Sequence, residues 1–148
     1  MPRSGGDLRI SGDQLLSEGG EEYPIVRGKP ILVREVRPMH IQPPEAAITS
    51  RNIACFTPPR HIPADEFCLH LGSGDVPSED VRVISLDVLP TANVDVVAEA
   101  EALPFKTSTF GYVASGAVFE HVYDPVTSAR EARRVTKEGG ELFIDTAF

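Results

Sequence analysis

The chain has 148 residues, of which 41% are hydrophobic and 24% charged, and a formal net charge of −8. That length suits about one domain of roughly 100–200 residues, and the composition is that of an ordinary soluble globular protein. The acidic balance argues against nucleic acid and anionic membrane as partners, because both need basic patches. No apolar run approaches the roughly 20 residues of a spanning helix.

The N-terminal "MPRSGGDLRI" has no apolar h-region. No signal peptide is expected, and a reducing cytoplasm is the default location. Cys55 and Cys68 make neither a metal spacing nor a disulfide framework,. Residues 1–35 are Gly-rich and polar, then extended. There "YPIVRGKPILV" sets Ile25, Val26, Ile31, Leu32 and Val33 around the turn "RGKP" and reads as a small β-hairpin,. Residues 36–66 carry six prolines (Pro38, Pro43, Pro44, Pro58, Pro59, Pro63) and no sustained period. They read as a connector crossing the surface, with one short turn near "PPEAAITS".

From Phe67 to Phe148 short apolar runs alternate with turns. "FCLHLGSGD" is a strand running into Gly72-Ser73-Gly74, and "VRVISLD" is a second strand ending in Asp87. "NVDVVAEA" and "TFGYVASGA" are a third and fourth. "DPVTSAREARRVTKEGG" reads as a helix, with Asp124 as N-cap, Pro125 at the first helical position and Gly139-Gly140 as the stop,. Arg130, Glu131, Arg133 and Arg134 read as its solvated face,. "ELFIDTAF" is a fifth strand. Runs apolar on both faces, with a helix between the last two, predict an α/β fold with a mainly parallel sheet.

In such a sheet ligands bind at the carboxyl ends of the strands, at the switch point. Glycines at Gly72 and Gly74 allow a tight turn and a close approach of ligand to backbone. Asp87, ending the next strand, can accept two hydrogen bonds from ribose hydroxyls. The plain alternative is a strand that happens to end in Gly-x-Gly. The dinucleotide fingerprint needs a third glycine where this chain has Pro77, and no helical pattern follows. A pyrophosphate on a helix N-terminus is therefore poorly supported, and a nicotinamide-dependent oxidoreductase with it. A phosphate-free ligand fits better.

In order and register, "LHLGSGD", "SLDV", "AEAEALPF", "FGYVASGAVFEHVYDP" and "ARRVTKEGGELFID" resemble class I S-adenosylmethionine-dependent methyltransferases of the small-molecule type. The resemblance covers about residues 67–148. It implies a Rossmann-like, reduced methyltransferase core over 67–148, preceded by the 36–66 connector and the hairpin segment 1–35. That segment is similar to the tail of a zinc-ribbon-like module without its metal cysteines, so no metal is expected. The resemblance implies S-adenosyl-L-methionine as cofactor. It sets Gly72, Ser73 and Gly74 under the methionine and ribose, and Asp87 at the ribose hydroxyls. Glu99 falls at the adenine amino group, and Ala100 offers its N–H to the ring. Leu103, Pro104 and Phe105 pack near the adenine, and Ser115 and Gly116 lie beside the methionine.

The implied reaction is an in-line displacement at a sulfonium methyl, where the protein mainly supplies position. His121 is the candidate base, if one is needed; a histidine before a helix start is more often structural. Glu120 is open to the same plain reading, as a capping or ion-pairing group. The connections after the first two strands are too short for crossover helices. The chain stops at the fifth strand, where members of the family continue. Three readings stay open: a methyltransferase of a small molecule, a non-catalytic relic or fragment acting as a partner module, and the disfavoured oxidoreductase. A second copy or another chain is expected to cover the C-terminal strand edge.

Overall fold

A computed structural model describes residues 6–42 and 54–146. The turn expected near "PPEAAITS" lies outside the described residues. The elements in chain order are β1 (Leu8–Ser11), β2 (Gln14–Ser17), β3 (Glu22–Val26), β4 (Lys29–Leu32), α1 (Pro38–Ile41), β5 (Cys68–Leu71), β6 (Val83–Asp87) and β7 (Val96–Ala98). A 3-10 turn (Ala100–Ala102), β8 (Phe110–Gly116), α2 (Pro125–Val135) and β9 (Thr136–Asp145) complete them.

All nine strands share one sheet in the order β1-β2-β3-β4-β7-β6-β5-β8-β9. From β4 onward every pairing is parallel; β1 to β4 form an antiparallel meander. The fold is thus α/β and Rossmann-like, with the mainly parallel sheet that the apolar runs predict and an N-terminal antiparallel extension. Within the parallel part the order reverses direction at β5, which lies between β6 and β8. The carboxyl ends of β5 and β8 are therefore the switch-point crevice.

The hairpin read from "YPIVRGKPILV" is β3–β4. Its two-residue turn is Arg27-Gly28, both at positive φ (53° and 79°), the type I′ geometry whose twist matches the flanking strands. Non-local pairing then decides where the hairpin goes. Ile31 and Leu32 of β4 pair in parallel with Val97 and Ala98 of β7. The carboxyl end of β4 consequently opens on the same sheet edge as the crevice.

One sheet face buries Leu69, Leu71, Leu86, Val113 and Phe119 against Ala132 and Val135 of α2. On the opposite face, Phe56 and Ile62 from the segment 54–66 pack on Cys68, Val83, Tyr112 and Ala114. The Phe56 ring stacks on His70, with centroids 4.1 Å apart. This Pro-rich segment thus covers a face that a crossover helix covers in a complete doubly wound sheet.

Asp124 caps α2 by accepting the N–H groups of Val126 and Thr127, and Pro125 takes the first helical position. The helix is shorter than its sequence reading. It ends at Val135, and Gly139-Gly140 is not its stop but part of β9. The reason is tertiary. Thr136 is buried and already extended, its hydroxyl donates to Ala132 O at 2.8 Å, and it pairs with Phe110 of β8. A register shift follows before Tyr112 meets Glu141, and Gly139 (φ 76°) lies inside that irregularity,.

Candidate functional site

The loop after β5 is bound to the ends of β6. The N–H groups of Gly72 and Ser73 both donate to Leu86 O, at 2.8 and 3.1 Å. The Gly74 N–H donates to Asp87 Oδ2 at 2.8 Å. All three amides are thereby used inside the protein, so they do not form a nest for an anion. Gly72 adopts φ +70°, and a Cβ there would run into the Val118 side chain. Gly72 therefore serves the packing of the segment after β8. A Cβ on Gly74 or Gly116 would meet nothing within 4 Å, so the crevice is open at those two glycines.

Asp87 closes β6. Besides the Gly74 contact, its Oδ1 accepts the Leu89 N–H at 2.9 Å. A carboxylate has about four acceptor sites, so two remain for a ligand. Ser73 and Ser115, on opposite lips of the crevice, are buried, and their hydroxyls have no hydrogen-bond partner among the described residues. Buried hydroxyls of that kind are costly to leave unmade.

Glu99 follows β7 and faces Arg34, whose Nε lies 3.8 Å from Glu99 Oε2. Arg34 comes from the end of β4, a residue the motif reading did not connect to the site. His40 of α1 is buried nearby. Its Nδ1 accepts the Arg37 N–H at 2.9 Å. Burial pushes the His40 pKa below the usual histidine range, against the opposing pull of Glu99. Ala100 is buried and opens the 3-10 turn.

Leu103, Pro104 and Phe105 follow that turn, and α2 holds them. The Leu103 N–H donates to Glu131 Oε2 at 2.9 Å, and Arg134 donates to the carbonyls of Leu103 and Phe105 at 2.9 and 2.7 Å. The helix face read as solvated is thus half-buried at Glu131 and Arg134, because a loop distant in sequence lies over it. Their i, i+3 spacing was visible; the loop that uses it was not. Phe105 meets Phe110 edge-on at 4.9 Å.

His121 is exposed on the turn between β8 and α2, and its N–H donates to Val118 O at 2.8 Å. Glu120 accepts the Thr146 hydroxyl at 2.6 Å, which ties that turn to the end of β9. Gly72–Gly74, Asp87, Ser115 and Gly116 therefore converge on the switch point, with Glu99 and Ala100 one strand further along. A cavity of about 820 Å³ between α2 and β9 is lined by Phe119, Val126, Ala129 and Ile144 and includes none of these residues.

The crevice presents two carboxylate acceptors at the ends of adjacent strands and two buried hydroxyls able to donate or accept, while its loop N–H donors are already spent,. It suits a ligand bearing hydroxyls, an amino group or positive charge better than one bearing phosphates. Among the described residues no group of three or more His, Cys, Asp or Glu could hold a metal ion. No described helix is long and apolar enough to cross a membrane.

Residues 77–144, a little under half of the chain, match the family described as "Methyltransferase domain". Over that span the sequence resemblance to a methyltransferase domain holds. No curated protein matches the chain. Among solved structures, the YcgJ protein from Bacillus subtilis is 21% identical with a TM-score of 0.47, over 57% of this chain and 45% of that one. A SAM-dependent methyltransferase from Thermotoga maritima is 23% identical with a TM-score of 0.45, over 54% of this chain and 44% of that one. The trans-methyltransferase CalH, in complex with SAH, is 16% identical with a TM-score of 0.43, over 55% and 32%. The chain spans less than half the length of each of these structures.

Proposed function

We propose, from the match of residues 77–144 to the methyltransferase domain, that the β5–β8 crevice binds S-adenosyl-L-methionine and that the chain transfers its methyl group to a small-molecule acceptor. The observation that carries the reading is the glycine loop at the switch point. Its three amides are spent on Leu86 and Asp87, so the loop favours a nucleoside without a pyrophosphate. The residues fit such a cofactor: orphaned Ser73 and Ser115 hydroxyls, open space at Gly74 and Gly116, and free acceptor capacity on Asp87.

In this reading Gly72, Ser73 and Gly74 lie under the methionine and ribose. Asp87 accepts from the ribose hydroxyls, Glu99 from the adenine amino group, and the Ala100 N–H meets the ring. Ser115 and Gly116 flank the methionine. When bound, the cofactor supplies a methyl already activated by a positive sulfur. The chain's own part is to hold that methyl in line with a nucleophile and to keep the carboxylates near the positive charge. His121 is the candidate base and, being exposed, suits an acceptor that arrives from solvent.

A second reading, a non-catalytic methyltransferase-like module that works beside another chain, is favoured by one observation. The outer edge of β9 has no strand beside it among the described residues, and an open edge invites pairing with a partner or a second copy.

The test is thermal denaturation with S-adenosylhomocysteine and with NAD. Binding to the folded state alone stabilises by about 2.7 kcal/mol at a hundredfold excess over Kd. The reading requires a higher Tm with S-adenosylhomocysteine and none with NAD; the reverse pattern overturns it. Methyl transfer to a panel of small acceptors then separates the enzyme from the binding module.

A further inference from the structure

We propose that Thr91 and Asn93, in the connection from β6 to β7, are positioning residues for the cofactor, holding the glycine loop in shape where a crossover helix is missing. The proposal rests on the S-adenosylmethionine reading of the crevice. The connection from β5 to β6 contains no helix. A connecting loop without such support is ordinarily mobile, whereas a binding site gains affinity from being ordered beforehand.

The ordering comes from the β6–β7 connection. Gly74 is gripped on both sides of its residue: its N–H by Asp87 Oδ2 at 2.8 Å, and its carbonyl by the hydroxyl of Thr91. Thr91 is 6% exposed, so its hydroxyl has little access to solvent as an alternative partner. Asp75, the next residue, is gripped by Asn93. Asn93 Nδ2 donates to Asp75 O at 2.8 Å and to Asp75 Oδ1 at 3.1 Å, and the Asn93 N–H donates to the same oxygen at 3.3 Å. Leu86 O already holds the first half of the loop through Gly72 and Ser73. Thr91 and Asn93 hold the second half.

A clamp works only if its own base is fixed, and this one is. The Asp95 N–H donates to Ser85 O and the Ser85 N–H to Asp95 Oδ2, each at 2.8 Å, which locks the connection onto β6. From the other side the Lys29 ammonium of β4 donates to Ala92 O at 3.1 Å and to Val94 O. The N-terminal extension thus reaches the cofactor loop in two steps, Lys29 to residues 92–94 and these to Gly74 and Asp75. This gives the parallel pairing of β4 with β7 a role at the site.

The experiment compares the wild-type chain with Thr91→Val, Thr91→Ser and Asn93→Ala. Titration calorimetry with S-adenosylhomocysteine is read beside site-resolved amide hydrogen exchange of the ligand-free protein. The expected result is a roughly threefold to tenfold rise in Kd for Thr91→Val and Asn93→Ala, the size of one or two lost hydrogen bonds. Exchange should quicken at Gly74, Asp75 and Val76 and stay unchanged in β5 and β8. Thr91→Ser, which keeps the hydroxyl, should restore both readouts. A merely structural role would speed exchange across the sheet and lower Tm without this local pattern. Wild-type binding with unchanged Kd and unchanged loop exchange in Thr91→Val and Asn93→Ala overturns the clamp alone. Absence of wild-type binding overturns the cofactor reading, and with it any positioning role toward that ligand.

Discussion

Glu131 of α2 accepts the N–H of Leu103, 28 residues earlier, at 2.9 Å. The same carboxylate takes Arg134 Nε at 2.6 Å and Nη2 at 2.7 Å. Both side chains are about one-fifth exposed (19% and 20%), so the pair is a packed bracket rather than a surface ion pair. Removing Glu131 leaves the Leu103 N–H and part of the Arg134 guanidinium without their acceptor, at a cost of about 1–3 kcal/mol. Glu131→Ala is expected to lower the unfolding free energy by about that amount in a urea titration. An unchanged midpoint would make the bracket incidental. Burial acts to raise the Glu131 pKa, but Arg134 and the Leu103 N–H outweigh it and the pKa is lowered. Its contribution is therefore complete above the ordinary glutamate value, about 4.3, and fades as pH falls through the folded value. The acid limb of Glu131→Ala should be correspondingly shallower.

Gly72 and Val118 are a packing pair. A Cβ on Gly72 would lie 2.9 Å from Val118 Cγ1 and closer still to its other methyl, on a backbone at φ +70°. Gly72→Ala should cost roughly 1–2 kcal/mol for the left-handed backbone and about 1–3 kcal/mol for overpacking. Adding Val118→Ala should recover the packing share and leave the backbone share. Equal stability of the single and double variants in urea would show that Val118 is not the obstacle.

What the sequence disclosed follows from how local each determinant is. β5, β6 and β8 are legible because their residues are apolar on both faces, and Asp124-Pro125 because capping is a matter of adjacent atoms. Gly139-Gly140 misled because a helix stop is a local rule, and the pairing of Thr136 with Phe110 overrode it. β1 and β2 were missed in a polar stretch where Ile10 is 76% exposed, so burial left no alternation to read. At the site, Gly72–Gly74 and Asp87 were visible as a motif. Arg34, Lys29 and Thr91 were not, since each acts through a contact between distant segments. Glu131 and Arg134 looked solvated because charge on a helix usually is.

Asp87 is tied into the fold by two backbone N–H groups, which decides what its removal should do to stability. It accepts backbone N–H groups from both Gly74 and Leu89. Asp87→Ala would leave both donors without that acceptor, so a loss of about 1–3 kcal/mol of stability is expected alongside weaker cofactor binding. Asp87→Asn offers a single acceptor oxygen and should fall between wild type and Asp87→Ala in Tm. If Asp87→Ala matches wild type in both Tm and calorimetric Kd, the carboxylate serves neither the loop nor a ligand.

His70 of β5 should make the fold acid-sensitive above the carboxylate range. It is 5% exposed, stacked on Phe56, and its Nδ1 has no hydrogen-bond partner among the described residues. Burial lowers its pKa from 6.5 to about 4. The folded state therefore binds fewer protons than the unfolded chain between those values, and stability falls as pH drops through that window. The full window corresponds to something on the order of 3 kcal/mol. Below about pH 4 the folded state also takes the proton, and this contribution to the pH dependence levels off. His70→Phe keeps a ring against Phe56 and removes this titration, so its urea midpoint should decline less from pH 6.5 to 4.5 than that of wild type, the remaining slope belonging to groups such as His40, whose pKa burial also lowers. A parallel decline in both proteins would assign the acid sensitivity to other groups.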